Sequence, residues 1–161
     1  MSGSADRPSR QAITTTRSDS MDRMASARWE GDLKSGKGTV RLGSGAFEGK
    51  YSFGSRFESA PGTNPEELIG AAHAGCFSMA LSLFLGQGGK TPRSIATEAA
   101  VHLEKVGDGF SITGIHLDTK GDVPGITQEE FQRFAEEARK NCPVSRALSV
   151  PITLQATLVG S

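Results

Sequence analysis

The chain contains little cysteine, few aromatic residues and no excess of charge of either sign. Its 161 residues include two cysteines, one tryptophan and one tyrosine, and 18 basic side chains balance 18 acidic ones. A chain with no net charge is not attracted electrostatically to nucleic acid or to an anionic membrane, so we expect neither as a partner. The length indicates one domain that is large enough to bury a core.

The two cysteines, Cys76 and Cys142, lie far apart in the sequence. This spacing is not a CxxC redox motif, and two thiols alone leave a zinc site incomplete. Either both are inert core residues, or the fold brings them together as a dithiol. Composition alone favours the first interpretation, because a lone buried cysteine usually packs as a small apolar side chain.

The N-terminal segment differs in composition from the rest of the chain. It is rich in Ser, Thr, Arg and Asp, and large apolar side chains are nearly missing. We therefore expect a disordered extension over residues 1–24 and a single domain over residues 25–161. No apolar signal-peptide core is evident, which favours a cytoplasmic location, where a cycling disulfide is possible and a permanent one is not expected.

Alternating side chains and turn signals predict an α+β fold. Strands are expected over residues 27–30, 38–42, 51–57, 95–106, 110–120 and 152–158. In the third of these, alternation places Arg56 on the face away from the aromatic side chains. A second helix, amphipathic, should begin at Thr127 and end near Asn141, because Pro143 disfavours helical geometry at Cys142. The irregular backbone there leaves the Cys142 side chain free to point outward.

The longest apolar run, residues 68–85, follows a strong helix start. Asn64 is a suitable cap, Pro65 fits the first helical position, and the two carboxylates that follow favour the positive end of the helix dipole. Because this helix is apolar on every side, we expect it to be buried. A membrane span is not expected, because half of the run consists of small residues.

A thiol in the middle of a helix has no intrinsic activation. The helix dipole acts only over the first turn, and apolar neighbours raise the pKa of Cys76. If Cys76 is reactive, another part of the fold must bring a cation to it. A second thiol nearby would complete a peroxide-reducing dithiol, because a sulfenic acid on the first sulfur condenses with the second.

Longer motifs carry a specific resemblance. Residues 62–82 read GTNPEELIGAAHAGCFSMALS, and shorter segments of interest are WEGDLKSGKG (29–38), RFE (56–58), VPGI (123–126) and CPVS (142–145). Together they resemble the OsmC/Ohr family of thiol-dependent organic hydroperoxide reductases, with the OsmC branch nearer. The resemblance covers about residues 27–158. It implies antiparallel sheets wrapped around a buried central helix, in an intertwined homodimer.

The resemblance also implies a function and a site. It implies reduction of organic hydroperoxides to alcohols, in which Cys76 matches the peroxidatic cysteine and Cys142 the resolving cysteine that forms a disulfide with it. Glu66 matches the glutamate of the motif, and Arg56 is the best match for the arginine that activates the thiol. Other basic residues nearby are Lys34, Lys37 and Arg41. No bound cofactor or metal is implied; an external dithiol, with lipoyl groups suggested, would recycle the enzyme.

The spacing of Glu66 and Cys76 raises a geometric question. About ten helical residues separate them, which corresponds to a rise of about 15 Å. If both serve one site, either the helix is broken or the glutamate comes from a second, antiparallel copy of the helix. Small residues from Gly70 to Gly75 would let two such helices approach closely, and Gly75 costs about 1 kcal/mol relative to alanine.

Three further interpretations remain open. The apolar neighbours Ile69, Phe77, Met79 and Phe84 would favour an organic peroxide over hydrogen peroxide. His73 is more simply a polar residue satisfied at a helix interface than a base. The alternative function is a non-catalytic, stress-related dimer that binds a hydrophobic ligand and keeps both thiols unreactive.

Overall fold

The computed structural model describes residues 20–160, which form two three-stranded sheets and four helices. The α+β class is therefore confirmed. Residues 20–24 are exposed and precede the first strand. The rest of the predicted N-terminal extension lies outside the described residues, so the extension and the domain boundary stay predictions.

The first sheet is an antiparallel meander. It consists of β1 (Ala25–Glu30), β2 (Lys37–Leu42) and β3 (Glu48–Ser52), in that order. The first two strands and the turn between them confirm the sequence prediction. Trp29 of β1 packs against Tyr51 of β3, with ring centroids 5.3 Å apart.

The third predicted strand is wrong beyond Ser52. A short helix, α1 (Phe53–Phe57), replaces it. The Ser52 hydroxyl accepts a hydrogen bond from the Ser55 backbone N–H at 3.1 Å, and the Ser55 hydroxyl accepts one from the Ser52 N–H at 2.8 Å. This reciprocal capping satisfies two backbone donors and begins a helix despite the alternating aromatics. Arg56 therefore lies on a helical turn.

The second sheet is mixed. β4 (Ser94–Val106) and β5 (Gly109–Asp122) form the predicted hairpin, and β6 (Ile152–Leu158) pairs parallel with β5. The expectation of antiparallel sheets thus fails for this last pair. A parallel pair needs a crossover connection, which α3 (Gln128–Asn141) and α4 (Pro143–Ala147) provide.

The central helix, α2, spans Pro65–Gln87 without a break. Its Asn64 cap accepts the Glu67 N–H at 2.8 Å, as predicted. One face packs against the second sheet and α3; its buried residues are Glu66, Gly70, His73, Phe77, Leu81 and Leu85. The opposite face is open, with Met79 76% and Leu83 57% exposed. Burial on every side is therefore wrong for the single chain, because sheet and helix cover only one side.

The length and composition of α2 would also suit a membrane span. A core helix of a globular protein has the same properties, however. The buried face of α2 belongs to the main apolar core, where Phe77 and Leu81 are inaccessible to solvent together with Phe131 of α3 and Leu117 of β5. This packing accounts for the apolar character of one side of the helix.

Candidate functional site

The fold brings the two cysteines together. Cys76 lies in the middle of α2, and Cys142 lies at the junction of α3 and α4, where Pro143 forces the chain to turn. The Cys142 thiol is within hydrogen-bonding contact of the Cys76 sulfur, and both are free thiols. Of the two interpretations open from the sequence, the structure supports a neighbouring dithiol.

The surroundings of Cys76 disfavour its thiolate. Burial raises the pKa of this thiol above its usual value, and the adjacent Cys142 thiol raises the pKa further, while a hydrogen bond from the Val144 backbone N–H acts in the opposite direction. Burial has the largest effect because an ion loses hydration in apolar surroundings. In the described part of the chain, no cation contributes to this pKa.

Cys142 does not point outward. Its side chain is completely buried in the apolar core, whereas Cys76 is half-buried. The prediction of an outward-pointing side chain is wrong because α4 folds back against α2 and covers the junction. The two thiols therefore differ in access, and the Cys76 sulfur is the one that a reagent from solvent reaches first.

Arg56 and Glu66 form a partly buried ion pair. Arg56 Nη2 lies 2.7 Å from Glu66 Oε1, and Arg56 Nε donates to both carboxylate oxygens at 3.2 and 3.3 Å. The Glu66 side chain is 9% exposed and that of Arg56 37%. A carboxylate that accepts two N–H groups holds the guanidinium plane in one orientation. The remaining guanidinium N–H groups are left for another acceptor.

This ion pair is distant from the thiols of its own chain. Glu66 is in the first turn of α2 and Cys76 near the middle, so the unbroken helix separates them by about 15 Å. The alternative of a broken helix is therefore excluded. What the sequence grouped as one site is two half-sites in the structure: the thiols at mid-helix, and the cation with its carboxylate at the helix start.

Aromatic side chains surround Arg56. A pocket of about 240 Å³ beside the guanidinium is lined by Trp29, Leu33, Tyr51, Phe53, Phe57 and Pro65. The residues that were expected to bind an apolar substrate lie elsewhere: Phe77 is in the core, and Met79 is on the open helix face. The aromatic residues around Arg56 were visible in the sequence, but the strand prediction placed Arg56 on the other side from them.

The small residues of α2 lie on two different faces of the helix. A Cβ at Gly70 would lie 3.2 Å from the Ala99 carbonyl oxygen, so glycine here permits close packing on β4. A Cβ at Gly75 would meet no atom of residues 20–160 within 4 Å. Gly70 therefore permits packing within the chain, although it was expected to permit the approach of a second helix. Gly75 makes no such contact and lies on the open face.

The open face adjoins an apolar groove. The groove, about 900 Å³ in volume, lies between β1, β2 and the first turns of α2, and Val40, Phe47, Leu68 and Ala72 are among its lining residues. An apolar concavity beside an uncovered apolar helix face is typical of a surface that another molecule covers.

His73 is buried at the interface of α2 with α4. Its Nε2 atom lies 2.7 Å from Ser145 Oγ, so the expected contact at a helix interface is present. The expectation that His73 is fully satisfied there is not met, because Nδ1 has no hydrogen-bond partner among residues 20–160. Burial lowers the pKa of His73, so the imidazole is neutral at neutral pH. Across residues 20–160, no group of three His, Cys, Asp or Glu side chains is arranged to hold a metal ion.

Comparison with known proteins identifies relatives of this chain. The family model described as OsmC-like protein matches residues 57–156. The chain is 55% identical to peroxiredoxin OsmC of Escherichia coli K12 over 133 residues, 82% of this chain and 93% of the relative. It is 33% identical over 98 residues to the organic hydroperoxide resistance protein of Xanthomonas axonopodis pv. citri, 60% of this chain and 67% of the relative.

Solved structures agree in fold. An organic hydroperoxide resistance protein OsmC from Legionella pneumophila superposes with a TM-score of 0.66 at 21% identity, over 85% of this chain and 97% of that one. An OsmC-like protein of unknown function from Vibrio cholerae gives 0.69 at 16% identity, over 85% and 99%. The identity of 55% with peroxiredoxin OsmC makes the protein an oxidoreductase of the peroxidase class. Within that class, the chain belongs to the OsmC family.

Proposed function

We propose that the protein reduces organic hydroperoxides to alcohols through Cys76 and Cys142. The observation that carries this proposal is the contact between two free thiols of unequal exposure, one half-buried and one fully buried. Such a pair separates the two roles of a thiol peroxidase, since the accessible sulfur meets the peroxide and the buried one meets only the first sulfur.

The reaction proceeds in three steps: reduction of the peroxide, formation of the disulfide, and reduction of the disulfide by a dithiol. The Cys76 thiolate attacks one peroxide oxygen, the O–O bond breaks, and the alkoxide leaves as an alcohol after gaining a proton. Cys76 keeps the other oxygen as a sulfenic acid. Cys142 then attacks the Cys76 sulfur, a disulfide forms and water leaves. An external dithiol supplies two electrons and two protons, restores both thiols and becomes a disulfide itself.

The dithiol enters at Cys76. Cys142 has no solvent-accessible surface, so the attacking thiolate reaches the Cys76 sulfur and releases Cys142. A lipoyl group fits this requirement because it is a dithiol on a long, flexible arm. No prosthetic group is needed, since all electrons pass through sulfur. A reducing cytoplasm is the compartment that suits a disulfide that must reopen.

The active enzyme is a homodimer in which a second copy supplies the cation. Arg56 and Glu66 are too far along α2 to serve their own Cys76, and no cation of the described chain acts on that thiol. A second α2, antiparallel and packed on the open face, would place its Arg56–Glu66 pair beside Cys76. A guanidinium within about 4–6 Å lowers a thiol pKa by about 1–3 units.

The aromatic pocket beside Arg56 binds the substrate's organic group in this proposal. Its side chains enclose about 240 Å³, sufficient for a small alkyl or aryl group. Burial of such a group contributes about 0.8 kcal/mol per methylene, which hydrogen peroxide cannot gain. Organic hydroperoxides are therefore favoured as substrates.

Substitution of each cysteine tests the mechanism. With cumene hydroperoxide and dihydrolipoamide, Cys76→Ser should lose turnover by at least about a thousandfold, because the nucleophile is gone. Cys142→Ser should consume one equivalent of peroxide and accumulate sulfenic acid, measured by mass spectrometry after dimedone trapping. Wild-type turnover in Cys76→Ser would end the proposal.

The apolar groove supports a second candidate, a dimer that binds a hydrophobic ligand without catalysis. Thiol titration separates the two functions. A binding protein would react slowly with thiol reagents and form no disulfide with peroxide, whereas the proposed peroxidase forms one disulfide per chain.

A further inference from the structure

His73 and Ser145 each lie about one helical turn from one of the two cysteines. His73 lies one helical turn before Cys76 on α2, and Ser145 lies one turn after Cys142 on α4. Their hydrogen bond, 2.7 Å from Nε2 to Oγ, is buried and connects these two elements directly. The proposed mechanism does not use either side chain.

The tautomer of His73 follows from its partners. Nδ1 is buried and unpaired. If Nδ1 carried the proton, a buried N–H would have no acceptor, so the proton belongs on Nε2, which donates to Ser145 Oγ. A half-satisfied imidazole in an apolar core calls for a reason other than packing, since an apolar side chain would fill the space without an unpaired nitrogen.

The position of α4 determines what surrounds the Cys76 sulfur. The Val144 N–H, adjacent to Ser145, is the one hydrogen-bond donor among the causes that lower the Cys76 pKa. The Cys142 carbonyl accepts the Arg146 N–H at 3.0 Å, so Cys142 moves with α4. A displacement of α4 from α2 would withdraw both the Val144 N–H and the Cys142 thiol from Cys76.

Resting on the proposed function, we infer that the His73–Ser145 hydrogen bond positions the resolving cysteine and sets the rate of disulfide closure. It holds α4 on α2 so that Cys142 stays in contact with the Cys76 sulfur after the sulfur is oxidised. His73 and Ser145 are positioning residues, because they act through the α4 backbone and do not touch the peroxide.

The rate of disulfide closure can be measured separately from the reaction with peroxide. In single-turnover experiments with the full-length enzyme, Ser145→Ala and His73→Leu should slow the conversion of sulfenic acid to disulfide at least tenfold. Dimedone-trapped sulfenate should accumulate in both. The double variant should close no more slowly than either single variant, because the two residues act as one unit. Ser145→Thr, which keeps a hydroxyl, and His73→Gln, which keeps an N–H donor, should restore closure.

Ser78→Ala is the matched control. The Ser78 hydroxyl joins α2 to β4 through Thr97 at 2.9 Å and makes no contact with α4 in the hydrogen bonds described. Ser78→Ala should lower the melting temperature about as much as Ser145→Ala does, and it should leave the rate of disulfide closure unchanged. A merely structural role for His73 would also lower the melting temperature without slowing closure of the folded enzyme.

A readout without peroxide separates this inference from the proposed function. The pH midpoint for alkylation of reduced Cys76, followed on its peptide by mass spectrometry, should rise in Ser145→Ala because the Val144 N–H is withdrawn. Wild-type closure and midpoint in Ser145→Ala, which removes only one oxygen atom, would overturn the inference. A wild type that forms no disulfide with peroxide would instead overturn the proposed function, and the alkylation midpoint would still test the positioning role.

Discussion

At the scale of single residues, ionisation of Cys76 is opposed by its own chain. Burial raises the pKa of the thiol and so does the neighbouring Cys142, while the Val144 N–H compensates only in part. An uncompensated thiol of this kind is mostly protonated at neutral pH and reacts slowly. The proposed activity therefore needs a positive group from a second copy of the chain, and the candidate is that copy's Arg56, which Glu66 orients.

Replacement of Arg56 tests that requirement. In Arg56→Met, the pH midpoint for alkylation of Cys76 should rise by about one to three units, because the cation that favours the thiolate is gone. The rate with peroxide at neutral pH should fall by up to about tenfold for each unit, because the thiolate fraction falls while the more basic thiolate is a somewhat better nucleophile. Arg28→Met is a matched control, since Arg28 forms an exposed pair with Glu30 at 3.0 Å. An unchanged midpoint in Arg56→Met would assign the role to another cation.

At the scale of elements, α2 has one buried face and one open face. Its buried face packs on β4 and α3, and Gly70 permits the close approach to β4. Its open face presents Gly75, where an added Cβ would have no atom of residues 20–160 within 4 Å. A mid-helix glycine costs about 1 kcal/mol relative to alanine, and close packing of a second helix would offset that cost.

A large side chain at Gly75 should prevent dimerisation. Gly75→Leu leaves the fold of the single chain intact, because open space surrounds the position, but it separates two helices that pack closely. Light scattering should report a monomer, and peroxidase turnover should fall at least about tenfold with the loss of the second cation. Glu137→Leu adds an exposed leucine on α3 and should stay dimeric. A dimeric Gly75→Leu protein would place the interface elsewhere.

At the scale of the whole molecule, the residues of the proposed site lie in two separate places on each chain. The thiols lie at mid-helix and the Arg56–Glu66 pair at the helix start, joined by one rigid element. Two-fold symmetry would complete both sites at once, because an isologous dimer pairs each half-site with its counterpart. This arrangement predicts complementation between two chains that are each impaired at a different part of the site.

Mixed dimers test which chain supplies the cation. Arg56→Met, with reduced turnover, and Cys76→Ser, with almost none, are unfolded together in equal amounts and refolded. If Arg56 acts across the interface, half of the mixed dimers' sites hold both wild-type groups, and about a quarter of wild-type activity should return. Each variant refolded with itself is the control. No recovery, with mixed dimers demonstrated by native mass spectrometry, would show that Arg56 acts within its own chain.

Much of the architecture could be predicted from local signals. Asn64 and Thr127 begin the two long helices as expected, and the hairpin and closing strand lie close to where alternation predicted them. The predictions failed where a local cap or a pairing with a distant strand outweighed the short-range pattern. Reciprocal capping by Ser52 and Ser55 converted a predicted strand into α1, and the parallel pairing of β6 depends on a crossover that no short-range pattern encodes.

The sequence by itself determined most of the element types, the family and the candidate residues, because caps, periodicity and motifs act over short distances along the chain. Only the tertiary structure decided that Cys76 and Cys142 touch, that Cys142 is buried, and that Arg56 with Glu66 lies a half-helix away from both. Those facts depend on how α2, α3 and α4 pack, and packing joins residues whose separation in sequence carries no information about their distance in space.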